Sequence, residues 1–340
     1  MKYTCPSPAA TTGNSIMHNR YFGFKKNPFS IAPDPRFLFM SEVYQDALAH
    51  LNYGLSSDSC ITLLTGEVGT GKTTICRCFL QQLGDSTDVA VILNPKLSAV
   101  ELLAAICDEF RIRVKGNRLS IKLHIDCLNR FLLQAYSQNR KCLLIIDEAQ
   151  NLDKDVLEMV RLLTNLETNE RKLLKIFLLG QPQLLTMLAH PDVSQIDQRI
   201  TSRFHLRGLR PSDTDHYIRH RLSVAGGPDS GELFSRRSIR RIHQLTGGIP
   251  RLINNLCDRS LLGAYAEGKK SIDGTIIRKA ADEIFGDGAH SRTALLTRGT
   301  LAVAFATTLL IIAIWTSTVD GMSADMPCTS TALTQADERH

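Results

Sequence analysis

Residues 66–73 have the types and spacing that bind a phosphate chain: they read Gly-Glu-Val-Gly-Thr-Gly-Lys-Thr. An apolar run precedes them and a plausible helix follows, which is the strand, loop and helix context that such a loop needs. Glycines let the backbone turn around phosphates, and the first helical amides attract negative charge. We therefore expect ATP here rather than a plain glycine-rich turn. The residues predicted to contact it are Gly66, Glu67, Val68, Gly69, Thr70, Gly71, Lys72, Thr73 and Thr74.

Two of these side chains have specific predicted roles. The Lys72 ammonium would reach the β- and γ-phosphate oxygens, and the Thr73 hydroxyl would be a ligand of Mg²⁺. Two acids, Asp147 and Glu148, end a second apolar run, as expected where a buried parallel strand leaves a sheet. Asp147 would hold Mg²⁺ through water, and Glu148 would polarise the water that attacks the phosphate. The alternative interpretation is a strand followed by a helix cap, with Asp147 or Asp153 capping.

The composition is that of an ordinary folded protein. The chain has 340 residues, of which 43% are hydrophobic and 22% charged, so its length suggests two domains with good cores. Nine scattered cysteines show no zinc spacing and predict a reduced, cytosolic body. The net charge of +6 permits contact with nucleic acid or anionic lipid without requiring it.

The order of predicted elements indicates an α/β architecture. Strands and helices alternate as far as residue 210, which favours a parallel sheet with helices on both faces. After Pro211 only helical patterns follow. We therefore predict an α/β nucleotide domain over residues 17–210 and a helical lid domain over 211–286. Residues 1–16 are predicted to be disordered, and translation could begin at Met1 or Met17.

Residues 299–319 contain no charged side chain and would form a helix about 30 Å long, the thickness of a membrane core. Arg292 and Arg298 flank one side only, which predicts a cytoplasmic body. The sequence thus predicts a single-pass inner-membrane protein. A linker would cover 287–298, and a short periplasmic tail would cover 320–340.

Several segments resemble a known family. Beside the two motifs above, the chain contains Tyr-Phe-Gly-Phe-Lys-Lys-Asn-Pro-Phe at 21–29, Leu-Asn-Pro-Lys-Leu-Ser at 93–98 and Gly-Ile-Pro-Arg-Leu-Ile-Asn at 248–254. These stretches resemble the AAA+ ATPases, and more closely those of the general secretion pathway protein A (ExeA) type. The resemblance implies a P-loop sheet domain with a C-terminal helical lid. It also implies an inner-membrane ATPase that helps a type II secretion complex to assemble.

The resemblance also implies roles for residues outside the two motifs. Gln181 would be a polar sensor facing the γ-phosphate, and Asn94 a switch that holds the catalytic glutamate idle. Arg251 would contact the nucleotide from the lid. Arg203, ranked before Arg199, would be the finger that reaches a neighbouring subunit's nucleotide. Structural alternatives stay open for the sensor, the switch and the finger. They are a plain Gln-Pro turn at Gln181, a cap before Pro95 at Asn94, and a solvated basic turn at Arg199 and Arg203.

The implied partners are other copies of the chain, in a ring or another homo-oligomer, and an inner-membrane secretion protein, the B component. Full-length members carry a large periplasmic peptidoglycan-binding part, whereas about 20 residues follow position 319 here, too few for a sugar-binding fold. Peptidoglycan binding by this chain is therefore not expected. Three other functions stay open: an ATPase of an MSHA-type pilus system, a DNA-associated regulator of the transposition type, and a scaffold with little hydrolysis. The predicted membrane helix makes nucleic acid a less expected partner.

Overall fold

The computed structural model describes residues 15–286, apart from 33, 58, 94, 117–119 and 228–232. Contacts between residues group those up to Ile284 into one compact unit. Of the predicted disordered segment 1–16, only Ser15 and Ile16 are described, and they open the first helix. The other residues of that segment lie outside the described part of the chain.

Five parallel strands form one sheet in the order β2-β3-β4-β1-β5. Their bounds are β1 Ile61–Gly66, β2 Thr87–Ile92, β3 Lys141–Ile146, β4 Leu174–Gly180 and β5 Ile200–Leu206. The central strands β1, β3 and β4 are mostly apolar and almost entirely buried, because helices cover both faces of a parallel sheet. The parallel α/β sheet predicted from the sequence is confirmed.

Twelve α-helices are described. Those before the end of the sheet are α1 Ser15–Tyr21, α2 Glu42–Ser56, α3 Lys72–Gln82, α4 Ala99–Glu109, α5 Ile121–Ser137, α6 Lys154–Leu163, α7 Gln183–Leu188 and α8 Ser194–Asp197. Those after it are α9 Pro211–Val224, α10 Arg236–Thr246, α11 Pro250–Ala266 and α12 Gly274–Phe285. Short 3-10 turns occupy Pro35–Phe37, Ala149–Asn151 and Pro191–Val193.

Strand β3 shows how the sheet divides the core. Leu144 and Ile146 face a layer that includes α4, α5 and α6, while Leu143 and Ile145 face a layer that includes α2 and α3. This alternation follows from the two-residue period of a strand. Both faces of β3 are therefore buried.

The segment before α2 packs on the helices that follow the sheet. The buried guanidinium of Arg221, in α9, donates to the carbonyl oxygens of Pro28 at 2.5 Å and Ser30 at 2.8 Å. The Cζ atom of Arg221 also lies 4.8 Å from the centre of the Phe37 ring. A buried cation needs such partners, so this arrangement fixes the N-terminal segment against the helical part.

The predicted membrane placement is wrong on the structural evidence. Within the described ranges, no helix is long and apolar enough to cross a bilayer. The longest of them, α5 and α11, have 17 residues each and carry charged side chains. Each therefore extends about 26 Å, short of the roughly 30 Å of a membrane core. The segments 287–298, 299–319 and 320–340, on which the prediction rested, lie outside the described residues.

Candidate nucleotide-binding site

The phosphate loop, residues 66–73, connects the end of β1 to the start of α3. Gly69 and Gly71 have φ angles of +84° and +98°, a region that side chains other than glycine rarely adopt. A Cβ at Gly69 would collide with the side chain of Arg251, and one at Gly71 with the hydroxyl of Tyr44. Helix α3 begins at Lys72 with Gly71 as its N-cap and without a side-chain cap. The loop therefore presents free amides at a helix N-terminus, as an anion site requires.

Lys72 is the buried cation of this loop, with only 6% of its surface exposed. Its Nζ donates to the carbonyl oxygens of Gly66 at 2.8 Å and Glu67 at 3.1 Å. Burial lowers the pKa of Lys72, while the nearby carboxylates of Glu148 and Asp147 oppose that shift. The ammonium is thus held at the mouth of the loop, where phosphate oxygens could replace the carbonyls.

A hydrogen bond joins the two sequence motifs. Thr73 Oγ1 donates to Asp147 Oδ2 at 2.6 Å, and the other oxygen, Oδ1, accepts from the backbone amide of Glu148 at 2.9 Å. Asp147 is 5% exposed. A hydroxyl and a carboxylate are the hard oxygen donors that Mg²⁺ prefers, so these residues fit a magnesium ion. The bond from Thr73 also shows that Asp147 is not the helix cap of the alternative interpretation. Asp153 does precede α6, but its side chain makes no capping bond.

Glu148 is held by two amide side chains. Gln150 donates from Nε2 to Glu148 Oε2 at 2.5 Å, and Gln181 donates from Nε2 to the same oxygen at 3.2 Å. The backbone of Glu148 is left-handed, with φ 54°, which costs of order 1–3 kcal/mol for a non-glycine residue. Because β4 lies between β1 and β3, Gln181 follows a strand that ends between the phosphate loop and the two acids.

The helices that follow the sheet contact the phosphate loop through Arg251. The backbone amide of Arg251, in α11, donates to the carbonyl oxygen of Gly69 at 3.2 Å. Its exposed side chain also contributes to lowering the pKa of Lys72, after the larger effect of burial. Two backbones cross nearby, where the amide of Leu209 donates to the carbonyl of Gly248 at 2.8 Å. The structure therefore places the predicted lid arginine beside the phosphate loop.

The two predicted finger residues do not reach this site within the chain. Residue 200, the first of β5, pairs with residue 61, the first of β1. Arg199 therefore lies at the amino-terminal end of these strands, whereas the phosphate loop follows their carboxyl-terminal end. Arg199 donates to the side chains of Thr164 and Asn165. Arg203 extends back to Asp197, with which it forms a 2.9 Å ion pair.

The other predicted contacts divide in three ways. Glu67, Val68 and Thr74 are exposed on the loop and the first turn of α3, while Thr70 is buried beneath it. Asn94 lies outside the described residues, so its predicted switch role has no structural description.

Tyr44 and Gln150 belong to the site but were not singled out in the sequence. The Tyr44 hydroxyl donates to the carbonyl oxygen of Thr70 at 2.7 Å, although the two are 26 residues apart. Gln150 follows Glu148 by two residues, and this closeness to the two acids is the one sequence signal that could have indicated it as a site residue. Its bond to the amide of Gln181, 31 residues away, had no signal in the sequence.

Comparisons with known proteins agree with this geometry. The AAA domain family matches residues 56–188. General secretion pathway protein A of Aeromonas hydrophila is 48% identical over 270 residues, which cover 79% of this chain and 49% of that protein. The chain thus spans about half the length of that relative. An uncharacterised HTH-type transcriptional regulator of Methanocaldococcus jannaschii is 28% identical over 159 residues, covering 45% of this chain and 37% of that one.

Solved structures show the same fold at low identity. The ADP form of the Aeropyrum pernix ORC2 protein has a TM-score of 0.55 at 19% identity and covers 76% of this chain and 73% of its own. Drosophila ORC bound to DNA has a TM-score of 0.58 at 13% identity, covering 85% and 70%. The sheet order, the joined loop and acids, and the 48% identity to the secretion protein agree with one another: residues 56–188 match the AAA domain family, and the chain is similar to the AAA+ proteins of the general secretion pathway protein A type.

Proposed function

We propose that the chain binds ATP with Mg²⁺ at residues 66–74 and hydrolyses it to ADP and phosphate. The observation that carries this proposal is the 2.6 Å hydrogen bond between Thr73 and Asp147. It brings the hydroxyl of the phosphate loop and the first acid of β3 to one point, at the start of α3. A loop that only stabilised the fold would not need a buried lysine and a buried carboxylate beside it.

The phosphates are bound chiefly by Lys72 and by the amides at the start of α3. Lys72 exchanges its bonds to the loop carbonyls for bonds to the β- and γ-phosphate oxygens, which restores the charge stabilisation that burial weakens. Thr73 would hold Mg²⁺ directly and Asp147 would hold it through water. When bound there, the ion would supply positive charge to the phosphate oxygens. Arg251 contacts the nucleotide from the helical side of the loop.

Glu148 orients and polarises the attacking water. Its Oε2 is occupied by the amides of Gln150 and Gln181, so Oε1 is the oxygen that faces the reaction. Gln181 follows β4, the strand between the one that precedes the phosphate loop and the one that precedes the two acids. Its side-chain amide can bond either to Glu148 or to a γ-phosphate oxygen. Asn94 is retained as the predicted switch residue on sequence grounds alone.

Hydrolysis requires a second copy of the chain. Arg203 and Arg199 are too far from the phosphate loop of their own subunit, so a finger acts only across an interface in a homo-oligomer. Arg203 remains the preferred finger residue, ahead of Arg199. Its side chain is 43% exposed, and it forms its ion pair with Asp197, whose side chain is 38% exposed. Such pairs contribute little stability and are easily exchanged for a phosphate. Residues 17–210 form the ATPase domain of each copy and 211–286 the lid.

The cellular role that we propose is support for assembly of a type II secretion complex, with a B component of that pathway as partner. The support for it is the 48% identity to the A. hydrophila protein over 79% of this chain. Loss of secretion in cells that carry only a hydrolysis-deficient variant would be the expected result.

The variant Glu148→Gln tests the enzymatic proposal. It should bind a fluorescent ATP analogue as the wild type does and lose turnover, because an amide cannot polarise water. Asn151→Ala, in the same turn, is the matched control and should hydrolyse ATP at the wild-type rate. Wild-type turnover in Glu148→Gln would place the catalytic role elsewhere.

A further inference from the structure

Gln150 makes two hydrogen bonds that connect the ends of neighbouring strands. Its Nε2 donates to Glu148 Oε2 at 2.5 Å, and its Oε1 accepts from the backbone amide of Gln181 at 3.0 Å. Glu148 follows β3 and Gln181 follows β4, so one side chain spans both strand ends. Glutamine has the donor and the acceptor that this bridge requires on a single terminal group.

The bridge determines which oxygen of Glu148 is available. Oε2 accepts from both Gln150 and Gln181, while among the residues that the structure describes Oε1 accepts no hydrogen bond. Both donors are neutral amides, so the carboxylate is oriented without being supplied with a proton. The left-handed backbone of Glu148, at φ 54°, is an uncommon conformation that needs such surrounding support.

The amide of Gln150 packs closely against the end of β4. A Cβ at Gly180, the last residue of β4, would lie 3.1 Å from Gln150 Oε1 and 2.6 Å from the Leu184 side chain. The glycine at the strand end thus makes room for the amide of Gln150. The close fit indicates that the amide position is fixed by packing as well as by hydrogen bonds.

We propose that Gln150 is a positioning residue for hydrolysis, which holds the Glu148 carboxylate with Oε1 directed to the attacking water. This inference rests on the proposed function, since it assigns Gln150 to the same reaction. Gln150 does not touch the nucleotide in this arrangement; it acts through Glu148. When the Gln181 side chain turns to a phosphate, the bond from Gln150 keeps the carboxylate in place.

Two substitutions separate the two bonds of Gln150. Gln150→Met has a similar length and removes both the donor and the acceptor. Gln150→Glu keeps an acceptor for the Gln181 amide but removes the donor to Glu148 and places a second carboxylate beside it. Misplacing a catalytic group by about 1 Å commonly costs on the order of 100-fold in rate. Gln150→Met should therefore lower kcat by about 10- to 100-fold, and Gln150→Glu should lose at least as much.

The measurement is ATP hydrolysis by the full chain, with the dissociation constant of a fluorescent ATP analogue and the Tm measured in parallel. Both variants should keep the dissociation constant and KM within about twofold of wild type, because uniform binding is not affected. In the Glu148→Gln background, Gln150→Met should cause no further loss, as expected for residues that act as a unit. Asn151→Ala is again the control.

Three outcomes would overturn the inference while the proposed function stands: wild-type kcat in Gln150→Met, equal loss of kcat and nucleotide affinity, or a full additional loss in the Glu148→Gln background. A wild-type chain that binds ATP but never hydrolyses it would overturn the proposed function itself, and with it the role of Gln150.

Discussion

The hydroxyl of Tyr44 donates a 2.7 Å hydrogen bond to the carbonyl oxygen of Thr70, and so joins helix α2 to the centre of the phosphate loop. Tyr44 is 5% exposed, and burial raises the pKa of its phenol, so the hydroxyl keeps its proton. The same hydroxyl occupies the space that a Cβ at Gly71 would need. The conformation of the loop therefore depends on a residue outside its motif.

Tyr44→Phe should destabilise the protein and weaken ATP binding modestly. The substitution leaves the carbonyl of Thr70 without its donor, and an unsatisfied buried polar group costs about 1–3 kcal/mol. We expect the Tm to fall by a few degrees, measured by calorimetry without nucleotide. Tyr53→Phe is the matched control, because Tyr53 lies on the same helix and is 66% exposed. Equal Tm values for the two variants would contradict the role of this bond.

ATP affinity should begin to fall at a lower pH than it would in a protein whose lysine at this position was exposed. Burial lowers the pKa of Lys72, and phosphate is bound by the charged form. Affinity should be constant near neutral pH and decline as the pH rises through the lowered pKa, approaching about tenfold per pH unit. Lys72→Arg, which stays charged, should bind more weakly but without that decline. The test is a titration of ATP binding at increasing pH.

Gly69→Ala should strain the phosphate loop and reduce nucleotide affinity. The φ of +84° costs about 1–2 kcal/mol for a residue with a Cβ, and the new methyl group would displace Arg251. Gly84→Ala is the control, because nothing lies within 4 Å of its Cβ and its backbone is unstrained. Dissociation constants for ATP should separate the two variants. Equal affinities would show that the contact between Gly69 and Arg251 is not needed for binding.

Arg203→Ala should leave ATP binding intact and lower hydrolysis by about 10³-fold or more, as loss of a finger acting in trans does. Arg207→Ala, an exposed neighbour just beyond β5, should have no such effect. Mixing Arg203→Ala with Glu148→Gln should restore part of the activity, because each supplies the group that the other lacks. If the mixture co-assembles but stays inactive, Arg199 becomes the next residue to test.

The phosphate loop and the acids after β3 could be predicted because their signals are local in sequence. A glycine spacing and an apolar run ending in two carboxylates are each complete within about eight residues. Tyr44 and Gln150 could not be found in this way, because each acts on a residue brought near only by folding. The bridge from Gln150 to Gln181 depends on β4 lying between β1 and β3, which no single segment reveals.

Element boundaries show a second limit. The bounds of β5, Ile200–Leu206, are hard to recognise in the sequence, because this edge strand largely alternates buried and exposed residues and lacks a continuous apolar run. Helix α6 ends at Leu163, although apolar residues at helical spacing continue to Leu166. There Thr164 turns the chain, and its hydroxyl accepts from Arg199, a contact that the sequence does not predict.

The Arg203 side chain points toward Asp197, away from the phosphate loop of its own subunit. Under the proposed mechanism, a lone subunit can hold ATP without supplying the charge that its cleavage needs. Activity per subunit should therefore rise with protein concentration until assembly is complete, and dilution should stop the reaction without any inhibitor. The cell would then set the reaction rate by how many copies it gathers in one place.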